Sequence, residues 1–377
     1  MRRIAAPPRI GWRQKVEEAG LLWHSAGGGA YWNEAAFYEL TAREVDELEG
    51  ATNELHRLAL AAVQHVVDNR LYGRLAIPPL AVPLIEDSWE HGAPSLYGRF
   101  DFSYDGVGPP KLLEYNADTP TALLEAAVVQ WQWLCDCHPE DDQFNSLHER
   151  LIAAWQSFRP LLAPGPIHFC SLDDAEDSMT LAYVQDTASQ AGYETFGLAV
   201  GDIGWSRTRR VFVGLAGEPL RTVFKLYPWE WMVRERFAEH LGPLAGPMRW
   251  IEPAWKMVLS NKGILPLLWQ LNPDHPNLLP AFFDSPRGLT DWVSKPLLSR
   301  EGANVEMSVA GRHFATGGAY GSEGRIFQGA APPPVLDGRY PVLGSWIVGE
   351  EAGGLGIRES AEPITTNHSQ FVPHLFR

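Results

Sequence analysis

Between residues 44 and 69, apolar side chains recur three and four positions apart, with Val45, Leu48, Leu55, Leu58, Ala62 and Val66 on one side and charged residues on the other. That spacing predicts a long amphipathic helix with one buried face. From Arg99 to Asn116 the period shortens to two. In RFDFSYDGVGPPKLLEYN, Arg99, Asp101 and Ser103 alternate with Phe100 and Phe102, while Leu112, Glu114 and Asn116 alternate with Leu113 and Tyr115. The alternation predicts two strands folded about the Asp105-Gly106 turn, with the aromatic face buried, Asp101 opposite Glu114 and Arg99 opposite Asn116. A one-residue bulge would shift the pairing beyond it. Thr119-Pro120-Thr121 then opens LLEAAVVQWQWL, a mostly buried helix that HPEDD closes.

After residue 164 strands and helices alternate. PGPIHFCSL, YETFGLAV and RRVFVGLA read as strands, with DDAEDSMTLAYVQDTASQAG helical between the first two, so this stretch predicts an α/β layer. TVFKLYPWEW runs from strand into helix, and PAWKMVLSNKGILPLLWQL is mostly helical. Strands return in DWVSKPL, ANVEMSV, GRIFQG and YPVLGSWIVGE. The clusters GGAYGSEG, AAPPPVLDG and EEAGGLG read as turns or loops. HSAGGGAYWNE, residues 24–34, reads as a linker and receives no functional role.

At 377 residues the chain has room for two or three lobes with substantial cores. A formal net charge of −15 argues against phosphate-backbone binding, so no nucleic-acid partner is expected. No stretch reaches the length of a membrane span, and no membrane partner is expected. Three cysteines, Cys135, Cys137 and Cys170, make no disulfide framework and point to a reducing, cytoplasmic setting. The CDCH run lacks a second ligand pair for zinc, and the histidines show no metal spacing.

The hairpin carries the chemistry. Carboxylates facing each other across a strand pair repel unless a cation lies between them. Asp101, Glu114 and the amide oxygen of Asn116 are the hard oxygen donors that Mg²⁺ takes, and Arg99 could face a phosphoryl group beside it. A solvated hairpin edge with Arg99 paired to Glu114 is equally open at this level.

YGRFDF with KLLEYNADTPTALLEA resembles the metal-binding segment of the glutathionylspermidine synthase family. FKLYPWEW, PAWKMVLSNKGILPLLW, SKPLLSREGANV, GRIFQ and GIRES resemble that family in the same order. The resemblance implies an α/β (α+β) ATP-grasp-like fold binding nucleotide between lobes, plus a pre-ATP-grasp-like α/β lobe. It implies a helical and loop region at 1–90, the metal-binding hairpin and core helices at 91–160, and the pre-ATP-grasp-like lobe at 161–250. The nucleotide lobe would follow at 251–330 and a C-terminal return to the core at 331–377. It further implies Asp101, Glu114 and Asn116 as ligands of Mg²⁺, with two ions, and Arg99 and Arg358 at the reaction centre. Lys256 and Lys295 are implied at the ATP phosphates, Gly302 in a loop closing over them, and Gln328 in the adenine hinge. Glu230 matches a position near the amine substrate.

The function implied is an ATP-dependent carboxylate-amine ligase that forms an amide through an acylphosphate, acting on small molecules such as a peptide-like acid and a polyamine. The length leaves no room for the amidase domain of the family's bifunctional members, and the resemblance is closer to its stand-alone acid-amine ligases. Two alternatives are a nucleotide-binding regulatory or scaffold protein without turnover and a metal-dependent hydrolase using Asp101 and Glu114. The second leaves the lysines and the REGANV loop unexplained and predicts activity without nucleotide.

Overall fold

In the computed structural model, which describes every residue except 27, 28, 243–247 and 368, three sheets meet around one cleft. Part of the 24–34 glycine run and one of the histidines, His368, therefore lie outside the described residues. The central sheet is antiparallel, in the order Gln370–Val372, Glu351–Ser360, Tyr340–Val348, Tyr97–Ser103, Lys111–Asn116. The site hairpin is thus the last two strands of a five-stranded sheet rather than a free surface hairpin.

The helix expected near residues 44–69 spans Ala42–Asn69. Thr41 begins it with a capping box: its hydroxyl accepts from Glu44 N–H at 3.3 Å, and the Glu44 carboxylate accepts from Thr41 N–H at 2.8 Å. Val45, Leu48, Leu55, Leu58, Ala62 and Val66 are all buried in the core that also takes Phe100, Phe102 and Tyr115 from the hairpin. Burying one Leu or Val of this stripe stabilises the fold by roughly 1.5–3 kcal/mol, and the capping box fixes where the helix begins.

The α/β layer predicted after residue 164 is a parallel sheet, ordered Arg249–Ile251, Thr222–Leu226, Ile167–Ser171, Thr195–Ala199, with the helix Ala175–Gln190 crossing between the last two strands in sequence fashion. A third sheet is antiparallel, in the order Ala281–Phe282, Arg325–Gly329, Trp292–Pro296, Glu306–Val309, Arg312–Ala315. PAWKMVLSNKGILPLLWQL forms two short helices, Lys256–Ser260 and Ile264–Leu271, with Asn261, Lys262 and Gly263 between them.

One assignment needs correction. EEAGGLG is not a loop, since the strand Glu351–Ser360 runs through it. Its glycines mark close packing: a Cβ at Gly354 would stand 2.8 Å from Leu147, and one at Gly356 would stand 3.0 Å from Phe371. The turn lies just before, where Gly349 takes a φ of +61°.

Candidate active site

The hairpin register is the expected one at its end nearest the cleft: Arg99 pairs with Asn116, Phe100 with Tyr115 and Asp101 with Glu114. Beyond that a bulge at Leu113 pairs Phe102 with Leu112. Leu112 therefore turns into the core, fully buried, and Leu113 turns to the cleft, the reverse of the simple alternation. The bulge also presents two successive carbonyls to the third sheet: Leu112 C=O accepts from Gln328 Nε2 at 2.9 Å and Leu113 C=O from Lys295 Nζ at 2.7 Å.

Arg99 and Asp101 are buried, at 6% and 4% exposure, so the solvated-edge reading does not hold. Arg99 grips its own strand neighbour rather than Glu114: Nε donates to Asp101 Oδ1 at 2.6 Å and Nη2 to Oδ2 at 3.0 Å, while Nη1 donates to Thr121 C=O at 2.7 Å. Its aliphatic stem crosses the adjacent strand at Gly344, where a Cβ would stand 2.7 Å from Arg99 Cδ. Asn116 Nδ2 bridges the facing carboxylates, 3.1 Å from Asp101 Oδ2 and 3.2 Å from Glu114 Oε1. Arg358 Nη2 lies 3.8 Å from Asp101 Oδ2.

Glu114 feels two opposed effects. Burial favours its neutral form, but the ammonium groups of Lys262 and Lys295, with the Asn116 hydrogen bond, outweigh it and hold the carboxyl at about 2. Lys262 Nζ lies 3.2 Å from Glu114 Oε2. Lys295 also donates to Gln328 Oε1 at 2.9 Å; burial pulls its ammonium down, Glu114 pulls it up, and it settles at about 8.

These groups line one cleft of about 370 Å³, together with Glu230, Gly302, Gln328 and Arg358. Gly302, with φ +69°, is forced by packing: a Cβ would stand 2.3 Å from Thr365 C=O. Glu230 lies 3.5 Å from Arg300, whose guanidinium also donates to Thr119 Oγ1 and lies over the Trp231 ring. Burial raises the Glu230 pKa and Arg300 opposes the shift. Asp174, Glu176 and Asp177 also face the cleft; burial and the two neighbouring carboxylates push Asp177 up to about 7.

Lys256 does not line the cleft. Its fully buried Nζ lies 2.7 Å from Glu252 Oε2 and donates to Tyr97 C=O at 2.6 Å. Glu252 in turn accepts from the N–H groups of Leu96 and Tyr97, so this pair fixes the start of the Arg99 strand from behind. The lysine that reaches the cleft is Lys262, six residues later. Its signal in the sequence is the polar Asn261-Lys262-Gly263 break between two apolar helical runs. Asp118, Arg300 and the Asp174–Asp177 segment likewise carry no signal in residue type alone and reach the cleft through the fold.

At the hairpin end, Arg99, Lys262, Lys295 and Arg358 stand against two carboxylates, Asp101 and Glu114, an excess of positive charge suited to a polyanion. An antiparallel lobe folded over an α/β body with such a cleft between them is the arrangement of an ATP-grasp ligase. The protein belongs to the glutathionylspermidine synthase family, whose preATP-grasp profile matches residues 3–377. It is 42% identical over 396 residues to a Haemophilus influenzae protein named "Putative acid--amine ligase", covering 100% of both chains. It is 28% identical over 353 residues to trypanothione synthetase of Crithidia fasciculata, covering 85% of this chain and 53% of that one, about half its length. A glutathione synthetase-like effector of Globodera pallida shares the fold, with a TM-score of 0.57 at 10% identity over 99% of this chain and 98% of that one. The protein is accordingly an ATP-dependent carbon–nitrogen ligase. No helix among the described residues is long and apolar enough to cross a membrane.

Proposed function

We propose that the cleft joins a small carboxylic acid to a cationic amine at the cost of ATP, through an acylphosphate. The observation that carries this reading is the convergence of Arg99, Lys262, Lys295 and Arg358 on the facing pair Asp101 and Glu114. Lys262 and Lys295 would neutralise the nucleotide phosphates. The apolar wall of Leu113, Val293 and Met307 beside Gln328 would take the adenine. The acid's carboxylate attacks the terminal phosphorus, the bond to the bridging oxygen breaks, and ADP leaves. One nitrogen of the amine, in its neutral form, then attacks the acyl carbon, the bond from that carbon to the phosphate oxygen breaks, and the nitrogen's proton leaves with the phosphate. Arg99 and Arg358 are placed to stabilise the transferred phosphoryl group and then the oxyanion.

Asp101, Glu114 and Asn116 suit Mg²⁺ by donor chemistry: two carboxylates in register, and an amide whose half-turn would replace its NH₂ with an oxygen between them. When bound, two such ions would neutralise charge on the phosphates. Glu230 and the carboxylates at 174–177 on the cleft wall favour a cation, and the relatives' names point to a polyamine joined to a glutathione-like acid. The test is melting temperature with and without Mg²⁺ and a non-hydrolysable ATP analogue, followed by ADP release with glutathione and spermidine. A ligand at ~100 times its dissociation constant adds about 2.7 kcal/mol of stability. Asp101→Ala should lose most of that shift. A wild type that does not shift at saturating ligand sinks the proposal.

A further inference from the structure

One buried ion pair at this cleft is used neither by the proposed chemistry nor by any contact open to a substrate. Asp118 and Lys225 have side chains 1% and 0% exposed, with Lys225 Nζ 2.5 Å from Asp118 Oδ1. Asp118 lines the cleft two residues beyond Asn116, but both its oxygens are engaged: Oδ2 accepts from Trp229 N–H at 2.8 Å. Lys225 donates its second bond to Tyr227 C=O at 3.1 Å and lies 4.9 Å from the Trp229 ring centroid. The pair therefore grips both sides of the Tyr227-Pro228-Trp229 corner, and ties it to the exit of the site hairpin. The next two residues, Glu230 and Trp231, face the cleft.

A buried ion pair adds little net stability over an apolar pair of similar volume. What it adds here is direction, because an apolar pair could fill the space but could not hold Tyr227 C=O and Trp229 N–H at fixed angles. We propose that Asp118 and Lys225 are positioning residues that hold the Pro228–Trp231 corner against the hairpin and thereby set the affinity of the cleft for the amine. This rests on the reading of Glu230 as the amine contact.

Removing one partner would strand the other's charge in the interior, so the test uses the double variant Asp118→Asn with Lys225→Met, which removes both charges and leaves an acceptor for Trp229 N–H. Hydrogen exchange needs no substrate: amides 229–233 should exchange at least tenfold faster, with amides 97–103 unchanged as the check on folding. Calorimetry with spermidine as the probe should show affinity at least tenfold weaker, while the Mg²⁺ complex of the ATP analogue binds within twofold of wild type. Unchanged exchange at 229–233 overturns the proposal. So does faster exchange with spermidine affinity retained. If wild type and Glu230→Gln bind spermidine equally, the amine role of Glu230 fails, and with it the claimed effect on affinity, whereas exchange still reports whether the corner is held.

Discussion

Lys295 should make metal-free nucleotide binding fall with rising pH well below the range in which an ordinary lysine titrates. Its ammonium is buried at 7% exposure and held by two neutral acceptors, Leu113 C=O and Gln328 Oε1, with Glu114 as the nearby carboxylate. Burial brings it from 10.5 to about 8. If phosphate binds only the ammonium form, the apparent dissociation constant scales with the inverse of the protonated fraction. That fraction is roughly nine-tenths at pH 7, a half at pH 8 and a tenth at pH 9, so affinity should drop about tenfold between pH 7 and pH 9, about 1.4 kcal/mol. Phosphate groups lose their second proton near pH ~6, below this window. The assay is calorimetric titration with the ATP analogue in EDTA from pH 6.5 to 9.5. Lys295→Met should bind weakly with no break near pH 8, and Glu114→Gln, which removes the carboxylate supporting the ammonium, should move the break to lower pH. A wild-type affinity flat to pH 9.5 would refute the argument.

Gly344→Ala should push the Arg99 stem aside, costing about 1–3 kcal/mol in urea unfolding, and should slow ADP release at least tenfold while the nucleotide analogue still shifts the melting temperature. Glu125 is buried and accepts from Tyr31 OH at 2.7 Å; burial raises its folded pKa from 4.5 to about 7. Stability is therefore lost as pH rises from about 4.5 to 7, so Glu125→Gln should stabilise the protein at pH 8 by up to ~3 kcal/mol and not at all below pH 4.5; an equal effect at both pH values rejects this. His374, buried with Nδ1 2.9 Å from Gln130 Oε1, is driven by burial to about 3. Protonation then favours the unfolded chain below pH ~6.5, and His374→Gln should reduce the acid slope of stability between pH 6.5 and 4.5 by about 1 kcal/mol per pH unit, as read by denaturant melts at each pH.

The outline of the site is legible in the chain, because two local rules agree there. A period of two with an Asp-Gly turn set the hairpin, and the same period put Asp101 against Glu114. What failed was what depends on contacts far along the sequence. The bulge at Leu113 turns the carbonyls of Leu112 and Leu113 toward Gln328 and Lys295, more than 180 residues away. The glycines at 353–356 suggest turns because glycine tolerates them, whereas in the strand they make room for Leu147 and Phe371. A lysine's identity carries no direction, and Lys256 and Lys262 differ only in which way a short helix and the loop after it point them.

The same reasoning explains why the inward lysines follow different rules behind the cleft and within it. Lys225 and Lys256 are each neutralised by a buried carboxylate, Asp118 and Glu252, and each gives a second donor to a backbone carbonyl. Their charge is used up inside the protein, which makes them supports. Lys262 and Lys295 share the single carboxylate Glu114, and that carboxylate also faces Asp101. One negative charge between two ammonium groups leaves a deficit that an incoming phosphate can fill. The distinction between support and site therefore rests on charge balance around each lysine rather than on burial, since all four are less than 9% exposed. It predicts opposite responses to the same change: Lys256→Met should lower stability with little effect on nucleotide affinity in the protein that remains folded, and Lys262→Met should do the reverse. Melting curves and analogue titration on the two variants decide it, and a loss of nucleotide affinity in Lys256→Met as large as in Lys262→Met would show that Lys256 belongs to the site after all.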